Sequence, residues 1–403
     1  MPETINGRKW RERIRKSATL KGLPRSASRS LFHSGIEAIT PEPRNPVMLW
    51  TKAIWAWVKN YVKVMFKRRT KFRTYPVSGS KRPGIYQMPD KCAIGLAADW
   101  GSGTISAYKV RDAMLSKEPD ITIHLGDVYF SGTDKEFQDY FLGSEDWPKG
   151  KLQPGNGSSA HETYILNGNH EMYSGGRGYF ELALPQLKQE ASYFCLENSN
   201  WRIVAIDTGY YAKTFPILEL FSSFIRLHKE NLSWLSDIVF ADANDKRPVI
   251  LLSHHNWFSA YDSEYKRMGR QLVPYLDRVL LWLWGHEHKF IGYAPFGFEG
   301  KTVRTRCIGH GGMPVELGFV PKRERGLIFT DERKLYELEG KEIGYCGFAF
   351  LGLDGPQLRL EYCDEERNTL LVEQWEITPA GLKGTVSGGD ELKVYRSLEE
   401  LVR

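Results

Sequence analysis

Cysteine is scarce in this chain: five residues, at 92, 195, 307, 346 and 363, an odd number with no pair at C-x-x-C spacing. Neither a disulfide framework nor a cysteine-based structural zinc site is expected. Several of the five fall inside apolar runs, where cysteine behaves as a small buried hydrophobe, and the pattern reads as that of a reducing, cytoplasmic compartment. Long apolar stretches are missing as well. Residues 1–40 lack the apolar run of a secretory signal, and their basic, Ser-rich texture reads as a solvated tail, with a transit peptide as the alternative. The best spanning candidate, residues 47–66, carries Lys52, Lys59, Asn60 and Lys63, too many polar groups for a hydrocarbon core. No internal repeat is visible. With 41% hydrophobic and 26% charged residues, the composition excludes a wholly disordered chain.

What the chain does have is a lopsided charge. Residues 1–90 hold 20 Lys and Arg against 5 Asp and Glu, while residues 91–403 hold 35 against 44. The acidic body argues against a nucleic-acid cradle, and the basic region is the natural contact for an anionic surface. Within it, Trp50, Ile54, Trp57, Val58, Tyr61 and Met65 recur at helical spacing, with Lys52, Lys59, Lys63 and Lys67 largely opposite and KRRTKFR following at 67–73. Two readings stay open for this amphipathic run. It packs on the body of the same chain, or it lies on an anionic membrane surface through 47–73, at the inner face of a membrane. The expected layout is a basic tail over 1–46, the Trp-rich basic helix and a linker over 47–90, a catalytic domain over 91–380 and a loose tail over 381–403.

From residue 91 short apolar runs alternate with helical stretches, the pattern of an α/β domain. Strands are expected at Cys92–Ala98, Asp120–Leu125, Thr163–Leu166, Trp201–Ile206, Pro248–Ser253 and Val279–Trp284, with further strands after residue 300. Five of the first six end in polar residues: Ala98-Asp99-Trp100-Gly101, Gly126-Asp127-Val128-Tyr129, Gly168-Asn169-His170-Glu171, Ser253-His254-His255 and Gly285-His286-Glu287-His288. Strand C-termini of an open α/β sheet line one rim, where the binding crevice forms. Carboxylate, amide oxygen and imidazole are ligands for zinc, iron or manganese. The set is too large for one ion and sufficient for two that share a carboxylate. His124, in the apolar run Ile121–Leu125, reads as a buried strand histidine. Trp257, Phe258 and Tyr261 either wall the pocket or pack.

These runs resemble the calcineurin-like metallophosphoesterase superfamily, and Ala98-Asp99-Trp100-Gly101 with the later Gly309-His310-Gly311-Gly312 is most similar to its purple acid phosphatase branch. The resemblance covers roughly residues 91–380. It implies a four-layer α/β/β/α sandwich of two mixed sheets and a pair of iron, zinc or manganese ions acting on a phosphomonoester or phosphodiester. Asp127 would bridge the ions, Asp99 and His288 would complete the first, and Asn169, His254 and His286 the second. A hydroxide formed there would attack phosphorus. His170 would face the leaving group, oriented by Glu171, and His255, His310 and Arg177 would contact the phosphate. The pattern departs at the first ion. Gly101 stands where many relatives have His, and Phe130 stands where the purple enzymes have Tyr. Tyr129 in a loop one residue shorter would supply the phenol; otherwise the first ion is left more open. A non-catalytic scaffold, or a nuclease that grips phosphates with the basic region, are the alternatives.

Overall fold

A computed structural model describes residues 69–76, 82–152, 158–212, 225–323, 325–338 and 341–403. The tail 1–46 and the amphipathic run up to residue 68 lie outside the described residues. The strands, in chain order, are β1 (Ile85–Gln87), β2 (Lys91–Ala97), β3 (Ile121–His124), β4 (Thr163–Ile165), β5 (Phe194–Glu197), β6 (Arg202–Ala205), β7 (Val249–Ser253), β8 (Val279–Trp284), β9 (Phe290–Phe298), β10 (Lys301–Ile308), β11 (Leu327–Thr330), β12 (Lys334–Leu338), β13 (Lys341–Gly344), β14 (Gly347–Asp354), β15 (Gln357–Asp364), β16 (Thr369–Thr378), β17 (Gly381–Gly388) and β18 (Lys393–Val394). One sheet runs β1-β5-β6-β7-β8-β10-β9-β11-β18 and the other β17-β16-β15-β14-β2-β3-β4, with β12 and β13 forming a separate hairpin.

In the first sheet β6, β7, β8 and β10 are parallel neighbours, and in the second β2, β3 and β4 are. Parallel neighbours place their C-terminal ends on a common edge. The two sheets face each other across an apolar layer built by alternation. Ile94 and Leu96 of β2, Leu281 and Leu283 of β8, and Leu351 and Leu360 enter the layer between the sheets. The residues between them face outward: Ala97 packs with Ala107, Val110 and Met114 of α1 (Ile105–Leu115), and Trp282 and Trp284 share a cluster with Trp257 and Met268. Burial on both faces explains why these strands read as continuous apolar runs. The result is the expected α/β arrangement of two large mixed sheets with helices. Helix starts follow their caps. Thr104 Oγ1 accepts from Ala107 N at the start of α1, and Thr133 with Glu136 forms a capping box on α2 (Asp134–Tyr140).

Two expectations are corrected. Residues 381–403 are not a loose tail: β17 pairs along β16, β18 along β11, and Leu401 is buried. Their polar alternation and glycines conceal an edge strand that needs only one neighbour. The linker expected over 74–90 contains β1, paired with β5, and just before it Phe72 and Tyr75 are buried, Phe72 stacking on Tyr193 and His228. Strand β9, for which the sequence carried no assignment, bridges β10 and β11.

The inner layer holds one charged pair. Arg306 of β10 donates from Nε and Nη2 to both oxygens of Glu373 on β16, at 2.7 and 2.9 Å, and both residues are fully buried. Tyr362 also donates to Glu373 (2.9 Å), and Arg306 reaches the Leu401 carbonyl (3.0 Å), so the pair joins the sheets and the C-terminus. Removing one partner strands the other charge in the core. Glu373→Ala is expected to cost about 3–5 kcal/mol in chemical denaturation. A loss within experimental error would mean that the two sheets do not pack through this pair.

Candidate metal centre

Strands β2, β3 and β4 of one sheet and β7 and β8 of the other deliver Asp99, Asp127, Asn169, His254 and the pair His286/His288 to one place. The backbone is forced to do so. Asp99, Asp127 and His286 sit in the left-handed region with φ of 58°, 73° and 69°, conformations that cost of order 1–3 kcal/mol for residues with side chains. Turning there aims each side chain back over the strand end. Close approach also demands glycine at position 168, where a Cβ would lie 2.1 Å from Asp127 Oδ1.

Two groups of ligand atoms meet at Asp127. On one side Tyr129 donates its hydroxyl to Asp99 Oδ1 (2.8 Å) and lies 3.3 Å from Asp127 Oδ2 and 3.0 Å from His288 Nε2. On the other, Asn169 Oδ1 lies 3.0 Å from both His254 Nε2 and His286 Nδ1, and His254 Nε2 lies 3.3 Å from Asp127 Oδ2. All except the partly exposed His286 and His288 are buried. Tyr129 is thus brought into the first group. Gly101 cannot be a ligand position here, because a Cβ on it would come within 2.9 Å of the Val128 backbone.

Hydrogen bonds fix which atoms face inward. His254 Nδ1 donates to the Leu125 carbonyl (3.0 Å), which leaves Nε2 as the inward atom. Asn169 Nδ2 donates to the Tyr173 hydroxyl (2.8 Å), which turns Oδ1 inward. The Tyr265 hydroxyl meets His286 Nε2 (2.8 Å), so Nδ1 faces Asn169. Acceptor atoms therefore converge on acceptor atoms: with Nδ1 protonated, His254 Nε2 points at a carboxylate and an amide oxygen. Only a cation reconciles them. A second ring proton is one solution: burial opposes it, yet Asp127 and Asp99 lift His254 up to about 9. A metal ion is the other, and carboxylate, amide, imidazole and phenol suit zinc, iron or manganese. The donor set fits such ions. Asp99, Asp127 and His254 bring ligand atoms within 4.8 Å of one another, as do His254, His255 and His286.

The remaining expected residues divide. His170 stands at the centre, donating from Nδ1 to the Phe130 carbonyl (2.8 Å) with Nε2 3.8 Å from Asp127 Oδ2. That carbonyl orients it, not Glu171. The Glu171 carboxylate instead accepts the backbone N–H groups of Gly168, Val128 and Asp127 at 2.7, 2.7 and 3.2 Å, holding two strand-end loops together. His255 is buried against His286 with Nδ1 on Thr208 Oγ1 (3.0 Å), at the edge of the imidazole cluster. Arg177 is not brought in: it is exposed and ion-paired with Asp134 and Glu181, both at 3.4 Å. His310 is not at a rim either. It is buried and stacked on Phe290 between the sheets, and in its segment it is the glycines that matter, a Cβ at Gly309 meeting the Glu287 carbonyl at 2.0 Å. His124 is the expected core histidine, accepting from Trp100 N (3.3 Å). Trp257 and Phe258 pack in the core. Tyr173 and Tyr265 were not anticipated. Tyr173 carries a signal, since it follows Asn169 by four residues on the turn α3 (Asn169–Met172), whereas Tyr265 comes from a distant loop and has none.

Fold and donor set together define a candidate metal-binding site at the edge shared by two sheets. Residues 93–290, just under half of the chain, match the family model described as calcineurin-like phosphoesterase. No curated protein matches the chain. Among solved structures it is similar to a purple acid phosphatase from yellow lupin (Lupinus luteus) seeds, at 15% identity and a TM-score of 0.45, covering 73% of this chain and 53% of that one. It therefore spans about half of the lupin chain. It is also similar to PhoD, at 13% identity and a TM-score of 0.47, covering 81% of this chain and 76% of that one. A dimetal phosphatase from Danio rerio matches at 13% identity and a TM-score of 0.39, covering 68% of this chain and 96% of that one.

Packing acceptors together without a cation has a pH signature. Burial, and next Asp127, push Glu171 up to about 8, burial and then Asp262 push Glu287 up to about 8, and His254 rises to about 9. Each group binds more protons folded than unfolded above pH 6.5, so metal-free protein should lose stability as pH rises from 6.5 through 8. His286 and His310, both lowered to about 4 by burial first of all, act in the opposite sense only below 6.5. Thermal melts of chelator-treated protein should show the fall, and metal loading should flatten it. A midpoint that rises over this window would contradict the ligand geometry.

Proposed function

We propose that the chain is a binuclear metallohydrolase of phosphoesters. Asp99, Asp127, Tyr129 and His288 would hold one ion, and Asp127, Asn169, His254 and His286 the other. The observation that carries this reading is the position of Asp127, whose Oδ2 lies 3.3 Å from both the Tyr129 hydroxyl and His254 Nε2 and so belongs to both ligand groups. When bound, such ions supply Lewis acidity, neutralising phosphoryl oxygens and acidifying water. The chain supplies the rest. His170, with Nδ1 held on the Phe130 carbonyl, presents Nε2 to the site; in the imidazolium form, which burial disfavours by holding the pKa below the usual imidazole value, that nitrogen carries the proton to be handed to the departing oxygen. Glu171 keeps the Asp127 and Asn169 loops in register, and Tyr173 and Tyr265 hold the amide and imidazole edges inward.

A phosphodiester is the favoured substrate. The rings packed on His170 are those of Tyr129 and Tyr173, and Arg177, the cation expected at the phosphate, is engaged by two carboxylates elsewhere. A singly charged diester needs less counter-charge than a monoester dianion. Contact of the basic run 47–73 with an anionic membrane surface at the cytoplasmic face remains part of this proposal. The described end of that run, Arg69 to Arg73, lies on the body, with Arg69 donating to the carbonyls of Tyr210 and Ala212 at 2.6 and 3.0 Å.

Metal-stripped protein refilled with manganese, zinc or iron should hydrolyse bis-nitrophenyl phosphate faster than nitrophenyl phosphate. Asp127→Asn or Asn169→Ala should each lower turnover by at least about a hundredfold while the protein stays folded. Undiminished turnover in either variant would remove the site assignment, and a preference for the monoester would remove the diester reading. If Tyr129 ligates, iron-loaded protein should show a visible phenolate-to-iron absorption band that Tyr129→Phe abolishes. An unchanged spectrum would leave Tyr129 as a hydrogen-bond donor only.

A further inference from the structure

We propose that the loop after β10, residues 316–326, is a docking element that seats the rim of the site on an anionic lipid bilayer. At its tip Phe319 is 51% and Val320 80% exposed, adjacent in sequence and among the most exposed large apolar residues described. Lys322 and Arg323 follow after Pro321 and are exposed. The segment Lys322-Arg323-Glu324-Arg325 carries three cations to one carboxylate.

The loop is braced rather than loose. Its N-terminal side is held by Leu317 N donating to the Glu342 carbonyl (2.9 Å) and by Lys289 Nζ donating to the Glu316 carbonyl (3.3 Å). Its C-terminal side is held by Lys322 N on the Ala260 carbonyl (2.7 Å) and Arg323 Nη1 on the Asp262 carbonyl (2.6 Å). The Lys289 ammonium lies 4.8 Å from the Phe319 ring and 5.2 Å from that of Tyr261, and Lys289 is the neighbour of His288. Among the described residues, Glu264 is paired with Arg325 (2.5 Å) and Glu316 with Lys341 (2.9 Å), which leaves the exposed Asp262 against Lys322 and Arg323. Neither Lys322 nor Arg323 has an ion pair with a side chain among the described residues.

Position selects the occupant. The loop leaves the C-terminal end of β10, and 258–264 follows β7, so both lie on the sheet edge that carries the metal ligands. The same edge holds Arg69, through the residues that follow β6, and the Trp-rich basic run 47–66 leads directly into Arg69. Two apolar side chains cannot make a protein interface of roughly 1,200 Å². They do suit shallow insertion between headgroups, where each nearby Lys or Arg adds attraction to anionic lipid. The inference concerns what the rim faces and stands whether or not the site proves binuclear.

The test is co-sedimentation of the full chain with vesicles of phosphatidylcholine alone or mixed with phosphatidylserine. Binding should require phosphatidylserine and weaken with salt. F319S/V320S and K322E/R323E should each reduce it by about tenfold or more, while thermal midpoint and turnover of a soluble ester stay unchanged. Failure of the full chain to bind, or equal binding by both variants, would overturn the proposal, the latter assigning attachment to another segment. Sedimentation velocity showing a dimer that F319S/V320S dissociates would overturn it in favour of a second copy of the chain. Loss of ester turnover in Asp127→Asn with vesicle binding intact would separate this question from that of the catalytic reading.

Discussion

Everything at the site follows from one electrostatic constraint: Asp99 and Asp127 are buried side by side at the meeting edge of two sheets, among imidazole and amide acceptors. Charges so placed are tolerated only with a compensating cation. The fold is organised to impose the conflict. Left-handed turns at Asp99, Asp127 and His286, the close approach at Gly168 and the three N–H groups gathered by Glu171 all act to hold acceptors against acceptors. A protein selected for stability alone would relax this cluster. Retaining strained backbone and opposed lone pairs is the mark of a site whose stability is completed by something it binds.

The same constraint explains why the ligands could be read from the sequence. Buried parallel strands are continuous apolar runs, so a polar residue flanked by glycine at the end of such a run stands out. Asp127, Asn169 and His286 occupy that position, and Asp99 and His254 end such runs without an adjoining glycine. Residues whose roles depend on where a loop goes after leaving the strand could not be read in this way. Arg177 lies six residues beyond Glu171, yet the chain has turned and presents it to Asp134 and Glu181. His310 has the glycine-rich setting of a site residue, but those glycines serve close backbone approach to Ala98 and Glu287 while the ring enters the core. Glu171 neighbours His170 in sequence, and on a helical turn neighbours diverge, so its carboxylate reaches back to the strand ends instead.

Fold boundaries were legible to the extent that elements are buried on both faces. The strands β2, β7 and β8 are, and their limits are nearly those expected. Edge elements are not. The strand β17 is exposed along most of its length, so no apolar periodicity marks it. Likewise the 69–76 segment buries only Phe72 and Tyr75 and otherwise looks like linker. Long-range pairs such as Arg306 with Glu373 leave no local trace, because neither charge points to its partner until the sheets are brought face to face.

The first ligand group shows how spacing along the chain decides chemistry. The bridge between Gly101 and Val128 closes the position from which a side chain on the β2 loop could reach the first ion, and Gly101 is what fits there. A further ligand must then come from the β3 loop. Tyr129, two residues past Asp127, has a side chain long enough, and the loop is pinned by Glu136, which accepts from Phe130 N (2.6 Å) and Ser131 N (3.2 Å) while capping α2. That pinning also aims the Phe130 carbonyl at His170. One capping carboxylate on a surface helix thus holds both the loop that carries the Tyr129 phenol to Asp99 and the carbonyl that orients the His170 imidazole. On the proposed reading, the loop one residue shorter than in purple acid phosphatases does not remove the phenol but moves it to the adjacent residue, with the phenylalanine's backbone put to use in its place.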